Sequence, residues 1–172
     1  MEYTKNEMPE FHKTFFKKLK RYLDTKIYFF GSVQRLDYFP YASDIDVDIF
    51  TDNESSTILK LQDFLKIDKN NIKNFIFMTN LTNTVIYGRK LKYEDESNNL
   101  SVEICVFNEN IKEIVLKEHL IKNSMPIYVS ILLIIIKFLY YKLHILPYST
   151  FIYVKRFIMN TFDGIKQTFV VF

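Results

Sequence analysis

Phe11, Phe15, Leu19, Tyr22 and Leu23 recur at helical spacing near the start of the chain, with Lys13, Lys17, Lys18, Lys20 and Arg21 on the positions between them. That spacing gathers apolar side chains on one side of a helix and leaves the cations in water. An amphipathic opening helix is predicted, ending near Thr25. The run KIYFFGS condenses aromatic and β-branched residues in front of Gly31 and reads as a buried strand feeding a tight turn. After a loop containing Pro40, SDIDVDIF alternates polar and apolar residues over its whole length, which is the period of a strand. Ile58, Leu61 and Leu65 share one helical face between about residues 55 and 66, as a crossover helix returning to a sheet would. NFIFMT, TVIYGRKLKY and LSVEICVF read as three further strands, separated by polar turn segments such as EDESNN.

The pattern then turns helical. Helices are predicted over 111–121, 127–146 and 150–161, with Pro126 and Pro147 at the breaks, where proline is tolerated. The order predicts an α+β fold: a mixed β-sheet with flanking helices, followed by a small helical lobe packed on it. A chain of 172 residues with 48% apolar content can bury one substantial core.

Composition adds a few exclusions. A formal charge of +3 does not identify a nucleic-acid binder, but the cluster from Lys13 to Lys26 could track a phosphate backbone or serve as a solvated helix face. A single cysteine, Cys105, excludes an internal disulfide and any multi-cysteine metal site, and it reads as a small buried hydrophobe. The opening MEYTKNEMPEFHK lacks the apolar core of a secretory signal, so an intracellular, cytoplasmic protein is expected. The apolar run 127–146 is interrupted by Lys137, Lys142 and His144 and reads as a buried core helix, with no membrane partner. His12 and His119 read as surface histidines, and catalysis by histidine is not expected.

In a strand, alternate side chains share a face, so Asp44, Asp46 and Asp48 stand on one side and Ile45, Val47 and Ile49 on the other. Three like charges in a row are costly unless something neutralises them, and carboxylate oxygens at a strand end suit hard cations such as Mg²⁺. Gly31 and Ser32 lie upstream, where glycine lets backbone approach a phosphate closely and serine can donate to it. Glu103 is a lone charge inside the apolar LSVEICVF, and such a charge is seldom buried without a partner or a metal. Ser130, Lys137 and His144 recur every seventh residue, with Tyr141 four after Lys137, giving a polar stripe along an apolar helix.

The stretch GSVQRLDYFPYASDIDVDIF resembles the signature of the polymerase β-type nucleotidyltransferases, in which Gly-Ser ends one strand and Asp-x-Asp opens the next. Its Leu36-to-Pro40 stretch running into Ser43-Asp44-Ile45-Asp46, with VEICVFN downstream, is similar more narrowly to terminal adenylyl and uridylyl transferases, including polyadenylate polymerases. The resemblance implies a catalytic domain over 1–108 and a short C-terminal helical lobe over 109–172. It implies that Asp44 and Asp46 bind two Mg²⁺ or Mn²⁺ ions, that Glu103 assists the metal activating the acceptor hydroxyl, and that Gly31, Ser32 and Ser43 contact the triphosphate. ILLIIIKFLYYKLHILPYSTFIYVKRF resembles the family's later helices, with Lys137 directed toward the triphosphate and Ser149 near the small-residue turn.

Three departures stand out. Glu103 replaces the usual aspartate, Asp48 stands where an apolar residue is usual, and Pro147-Tyr148 replaces a glycine pair. Asp48 is the reserve third carboxylate, although strand rise puts it roughly 7 Å beyond Asp46. The implied activity moves a nucleoside monophosphate from an NTP to an acceptor hydroxyl, with an RNA or other polynucleotide 3′ end as the acceptor and a protein partner completing the cleft. The alternatives are a catalytically inactive binding or regulatory subunit, and a transferase that modifies a protein or a small molecule.

Overall fold

The computed structural model describes residues 2–79, 82–162 and 169–171. Helix α1 (Glu10–Leu23) leads into strand β1 (Tyr28–Phe30), a 3₁₀ turn at Gly31–Gln34 and strand β2 (Ile45–Thr51). Helix α2 (Glu54–Leu65) crosses over to β3 (Ile72–Met78), β4 (Val85–Asp95) and β5 (Leu100–Asn108). Helices α3 (Lys112–Asn123), α4 (Ile127–Tyr141) and α5 (Tyr148–Phe162) follow, and strand β6 (Phe169–Val171) comes last. The strands form one six-stranded sheet in the order β1-β2-β5-β4-β3-β6. The β2–β5 pair is parallel, and the other neighbours are antiparallel. This is the α+β fold that the sequence predicts.

Strand alternation divides the chemistry between the two faces of the sheet. Ile45, Val47 and Ile49 of β2 and Val102, Ile104 and Val106 of β5 point into the larger core, where they meet Phe15, Phe16, Leu19 and Leu23 of α1 and Ile58, Leu61 and Leu65 of α2. The even positions of β2 and the odd positions of β5 point the other way. There Phe50, Cys105 and Phe107 pack with Tyr28, Phe75, Ile86 and Val115 of α3 into a second core. A third cluster joins α4 to α5 through Val129, Leu133, Ile136, Phe151 and Ile158.

Several expectations change in the folded chain. Phe11 and Tyr22 are more than 40% exposed, while His12 and Phe16 take buried positions on α1. His12 is therefore an interior histidine, its Nε2 3.2 Å from the Asn98 carbonyl oxygen. Helix α4 stops at Tyr141, and His144 lies beyond it in a left-handed conformation, exposed, so the polar stripe ends before that residue. The same helix is buried on only one side: Ile127, Tyr128, Ile131, Ile135 and Phe138 face outward. The wholly helical reading of the C-terminal part also omits β6, which pairs with β3 in the sheet. Among the described residues, no single helix is long and apolar enough to cross a membrane.

Gly88, in the middle of β4, makes room for the second core. A Cβ there would stand 2.7 Å from Cε1 of Phe107 and 2.7 Å from Cζ of Phe75. Both rings are almost fully buried and cannot retreat freely. Gly88→Ala should therefore cost about 1–3 kcal/mol, as overpacking of a filled core does. The measurement is the urea midpoint at unchanged slope. A midpoint equal to that of the wild type would show that the rings give way without cost.

Candidate active site

The site begins where β1 stops. Gly31 has φ +68°, and a Cβ on it would lie 2.0 Å from Asp46 Oδ2. Both facts demand glycine: the backbone conformation disfavours side chains, and the space for one is taken by the carboxylate. The turn is held by its own side chains and by the N-terminal segment. Gln34, buried, donates to the carbonyls of Phe29 at 3.2 Å and Tyr3 at 2.7 Å. The Asn6 amide donates to the carbonyls of Val33 at 3.0 Å and Arg35 at 2.6 Å. Ser32 and Ser43 are both buried beside the turn. Ser43 Oγ accepts the Phe39 amide at 3.1 Å and so ties back the loop that precedes Asp44.

Register then sets the carboxylates. Asp46 and Glu103 are direct partners across the parallel β2–β5 ladder, on the same face of the sheet. Asp44 precedes β2 and is exposed, Asp46 is half-buried, and Asp48 is buried. Burial, and then the neighbouring Glu103 charge, push the Asp46 carboxyl up to about 7. Glu103 meets the ammonium of Lys90 on β4 at 2.5 Å. Asp48 is engaged elsewhere, with its Oδ2 2.5 Å from His119 Nε2, beneath a stacked Phe30 ring at 4.1 Å. Burial raises the Asp48 carboxyl, and the histidine opposes that in part. The surface reading of His119 is thus corrected: α3 lies across the carboxylate face and carries the imidazole inside.

Asp44, Asp46 and Glu103 line one cavity of about 400 Å³. Gly31, Ser32, Ser43 and Lys137 line it as well, and the helices add Lys122, Tyr141, Lys155 and Arg156. Ser149 is exposed in the first turn of α5 and is not among the lining residues. Among the described residues no three His, Cys, Asp or Glu side chains are gathered into a metal-ligating cluster. Asp44 stands outside the strand, and Glu103 is engaged by Lys90. The donors are nevertheless all hard carboxylate oxygens, and the raised Asp46 carboxyl marks a place where a cation would relieve repulsion.

Lys137 neither snorkels nor points freely into the cavity. It is 2% exposed, and its ammonium donates to the Asp37 carbonyl at 2.7 Å and the Asp37 carboxylate at 2.8 Å. Arg35 holds the same carboxylate through Nε at 2.8 Å and Nη2 at 3.1 Å. Burial alone would raise the Asp37 carboxyl, but Arg35 and Lys137 outweigh it and hold it at about 2. Burial draws Lys137 down to about 8, so it remains charged at neutral pH. Sequence reasoning missed Asp37, Arg35, Lys122, Lys155 and Arg156. The signal for Asp37 was a charge within LDYFPY, and for the last two an adjacent basic pair on an apolar helix. The basic cluster of α1 is on the far side of the sheet, because α1 packs in the larger core, and Lys13, Lys20 and Lys26 pair with nearby glutamates.

A carboxyl raised from 3.8 to about 7 by folding favours the protonated native state. Stability is then lost as pH rises through that window and is lowest above it. In a chelator, Asp46→Asn should melt several degrees above the wild type at pH 8, with the gap closing toward pH 4. Equal melting temperatures at pH 8 would show that Asp46 carries no such strain.

No curated protein sequence matches this chain significantly. Among solved structures, the chain is similar to one in the structure of the GLD-2/RNP-8 complex, with a TM-score of 0.41 and 13% sequence identity. That similarity covers 88% of this chain and 53% of the other, so the present chain spans about half of that chain's length. The sequence profile of the nucleotidyltransferase domain matches residues 12–160, most of the chain and the whole of the cavity just described. The chain belongs to the nucleotidyltransferase domain family.

Proposed function

We propose that this protein is a metal-dependent nucleotidyltransferase acting on the 3′ end of RNA or another polynucleotide. The observation that carries this reading is the pairing of Asp46 with Glu103 beneath the Gly31 turn, facing Lys122, Lys155 and Arg156 across one cavity. A cavity with carboxylates on one wall and cations on the other suits a triphosphate with its counter-ions. Asp44, Asp46 and Glu103 would hold Mg²⁺ or Mn²⁺, which when bound supplies charge neutralisation for the reacting phosphate. Gly31, Ser32 and Ser43 present backbone and hydroxyls to the triphosphate. Arg35, Lys137 and Asp37 form a fixed unit of net charge +1 at its side, in which Lys137 positions as much as it binds. Helices α3, α4 and α5 act as a lobe that closes the cavity over the catalytic sheet, which β6 joins.

In the reaction, the acceptor hydroxyl oxygen forms a bond to the α-phosphorus, and the bond from that phosphorus to the bridging oxygen breaks. Pyrophosphate leaves with the electron pair, and the hydroxyl proton passes to water. The polynucleotide acceptor is supported by the cations of α3 and α5 at the cavity mouth. The outward apolar face of α4 supports a protein partner that completes the cleft.

A second reading has its own support. Lys90 already satisfies Glu103, as it would in a non-catalytic binding subunit of the same fold. One assay separates the two. Purified protein is incubated with Mg²⁺ or Mn²⁺, each labelled NTP, and RNA, DNA or no acceptor, beside an Asp44→Ala/Asp46→Ala double variant. Incorporation into polynucleotide that falls at least about a hundredfold in the variant is the expected result. Equal, background incorporation by both proteins would favour the non-catalytic reading.

A further inference from the structure

The carboxylate cavity opens into a second one of about 560 Å³. The two share Phe30, Glu103, His119, Lys122, Arg156 and Asn160 as wall residues, so they meet at Glu103. Their chemistry differs. The second compartment is floored by Phe75, Phe77, Phe107, Met78 and Cys105, and it lacks the glycine-serine turn and the Asp44–Asp46 pair. A triphosphate gains nothing from that floor, because burying its charges against apolar groups is unfavourable. A planar ring with an apolar face gains a great deal.

The floor is built rather than incidental. Phe75 and Phe107 are held over Gly88, where no side chain competes for the space. Phe75 and Phe107 cross at 81° with centroids 5.5 Å apart, and Phe77 crosses Phe107 at 71° and 6.3 Å. Phe75 and Phe107 are themselves almost fully buried and back Phe77, which is half-buried and, with the exposed Met78, offers its apolar surface to a flat guest. The volume lies within the range of about 300–1,000 Å³ typical of small-ligand sites. Lys122 and Arg156 stand at the junction, where a phosphodiester attached to the guest would pass.

We propose that this aromatic compartment binds the terminal nucleobase of the acceptor strand, which sets its hydroxyl beside Glu103 and opposite the NTP. The inference rests on the nucleotidyltransferase reading above and adds where the acceptor sits and what recognises it. A tyrosine side chain of a protein acceptor would also fit against Phe77 and Met78. The cations at the junction favour the strand with phosphates.

The test is equilibrium binding of the full chain to two short RNAs that cannot react, one ending in a 3′-deoxynucleotide and the other in a 3′-deoxy abasic unit. Removing the terminal base should weaken binding to the wild type about tenfold, the usual contribution of one stacked base. Phe77 is only half-buried, so Phe77→Ala is expected to fold, as circular dichroism will verify, and to erase the difference between the two RNAs. A 3′-terminal 4-thiouridine should photocross-link within residues 75–78 of the wild type, which gives a readout independent of any variant. Equal binding of the two RNAs by the wild type, or a difference that survives in Phe77→Ala, would overturn the acceptor site, while incorporation by the wild type in the NTP assay would leave the nucleotidyltransferase reading standing. No transfer to any polynucleotide, together with labelling of a tyrosine peptide, would overturn the polynucleotide reading itself.

Discussion

The parallel pairing of β2 with β5 places Asp46 directly beside Glu103 on one face of the sheet, and much of the structure answers that juxtaposition. Burial disfavours the charged Asp46 carboxylate, and the Glu103 carboxylate at the adjacent ladder position repels it, so the Asp46 carboxyl rises to about 7. Lys90 relieves one member of the pair, and Lys155 approaches from α5 to relieve the other. The Gly31 backbone closes against Asp46, where no side chain could stand. A cation bound there would relieve that cost, as the proposed transfer reaction requires.

The second organising interaction is the buried Arg35–Asp37–Lys137 group. It fastens the loop after the glycine turn to α4 one turn before that helix ends, and so ties the sheet to the helices that roof the cavity. Removing one partner of such a group leaves a buried uncompensated charge, which is why it works as a clamp even though its net stabilisation is small. The division of the sheet into two faces follows from strand alternation alone. The face with α1 and α2 is structural, and the face with α3, α4 and α5 carries the charges, the aromatic floor and both cavities.

Periodicity made the strands and helices legible, because β2 and β5 alternate cleanly and α1 and α2 keep their apolar positions on one side. The line-up of Gly31, Ser32, Ser43, Asp44, Asp46 and Glu103 around one cavity was legible too, since it follows from strand parity and a resemblance in linear sequence. The rest depended on tertiary contacts that no local pattern encodes. His119 reads as a surface residue until α3 is laid over Asp48. Lys137 reads as a phosphate ligand or a snorkelling lysine until Asp37, a hundred residues away, is found against it. Phe11 and Phe16 lie about 140° apart around α1, and hydrophobicity alone does not say which of the two faces the sheet. The short β6 is defined by the strand it joins rather than by its own composition.

The proposed cation site of Asp44, Asp46 and Glu103 is not gathered into a ligating cluster in the folded chain. Crystals grown with Mn²⁺ and a non-hydrolysable NTP, measured at the manganese absorption edge, test it directly. An anomalous peak within coordinating distance of Asp44 and Asp46, with Glu103 released from Lys90 and turned toward the same ion, is the expected result. A map with no peak there, and with the Lys90–Glu103 ion pair intact beside bound nucleotide, would contradict it.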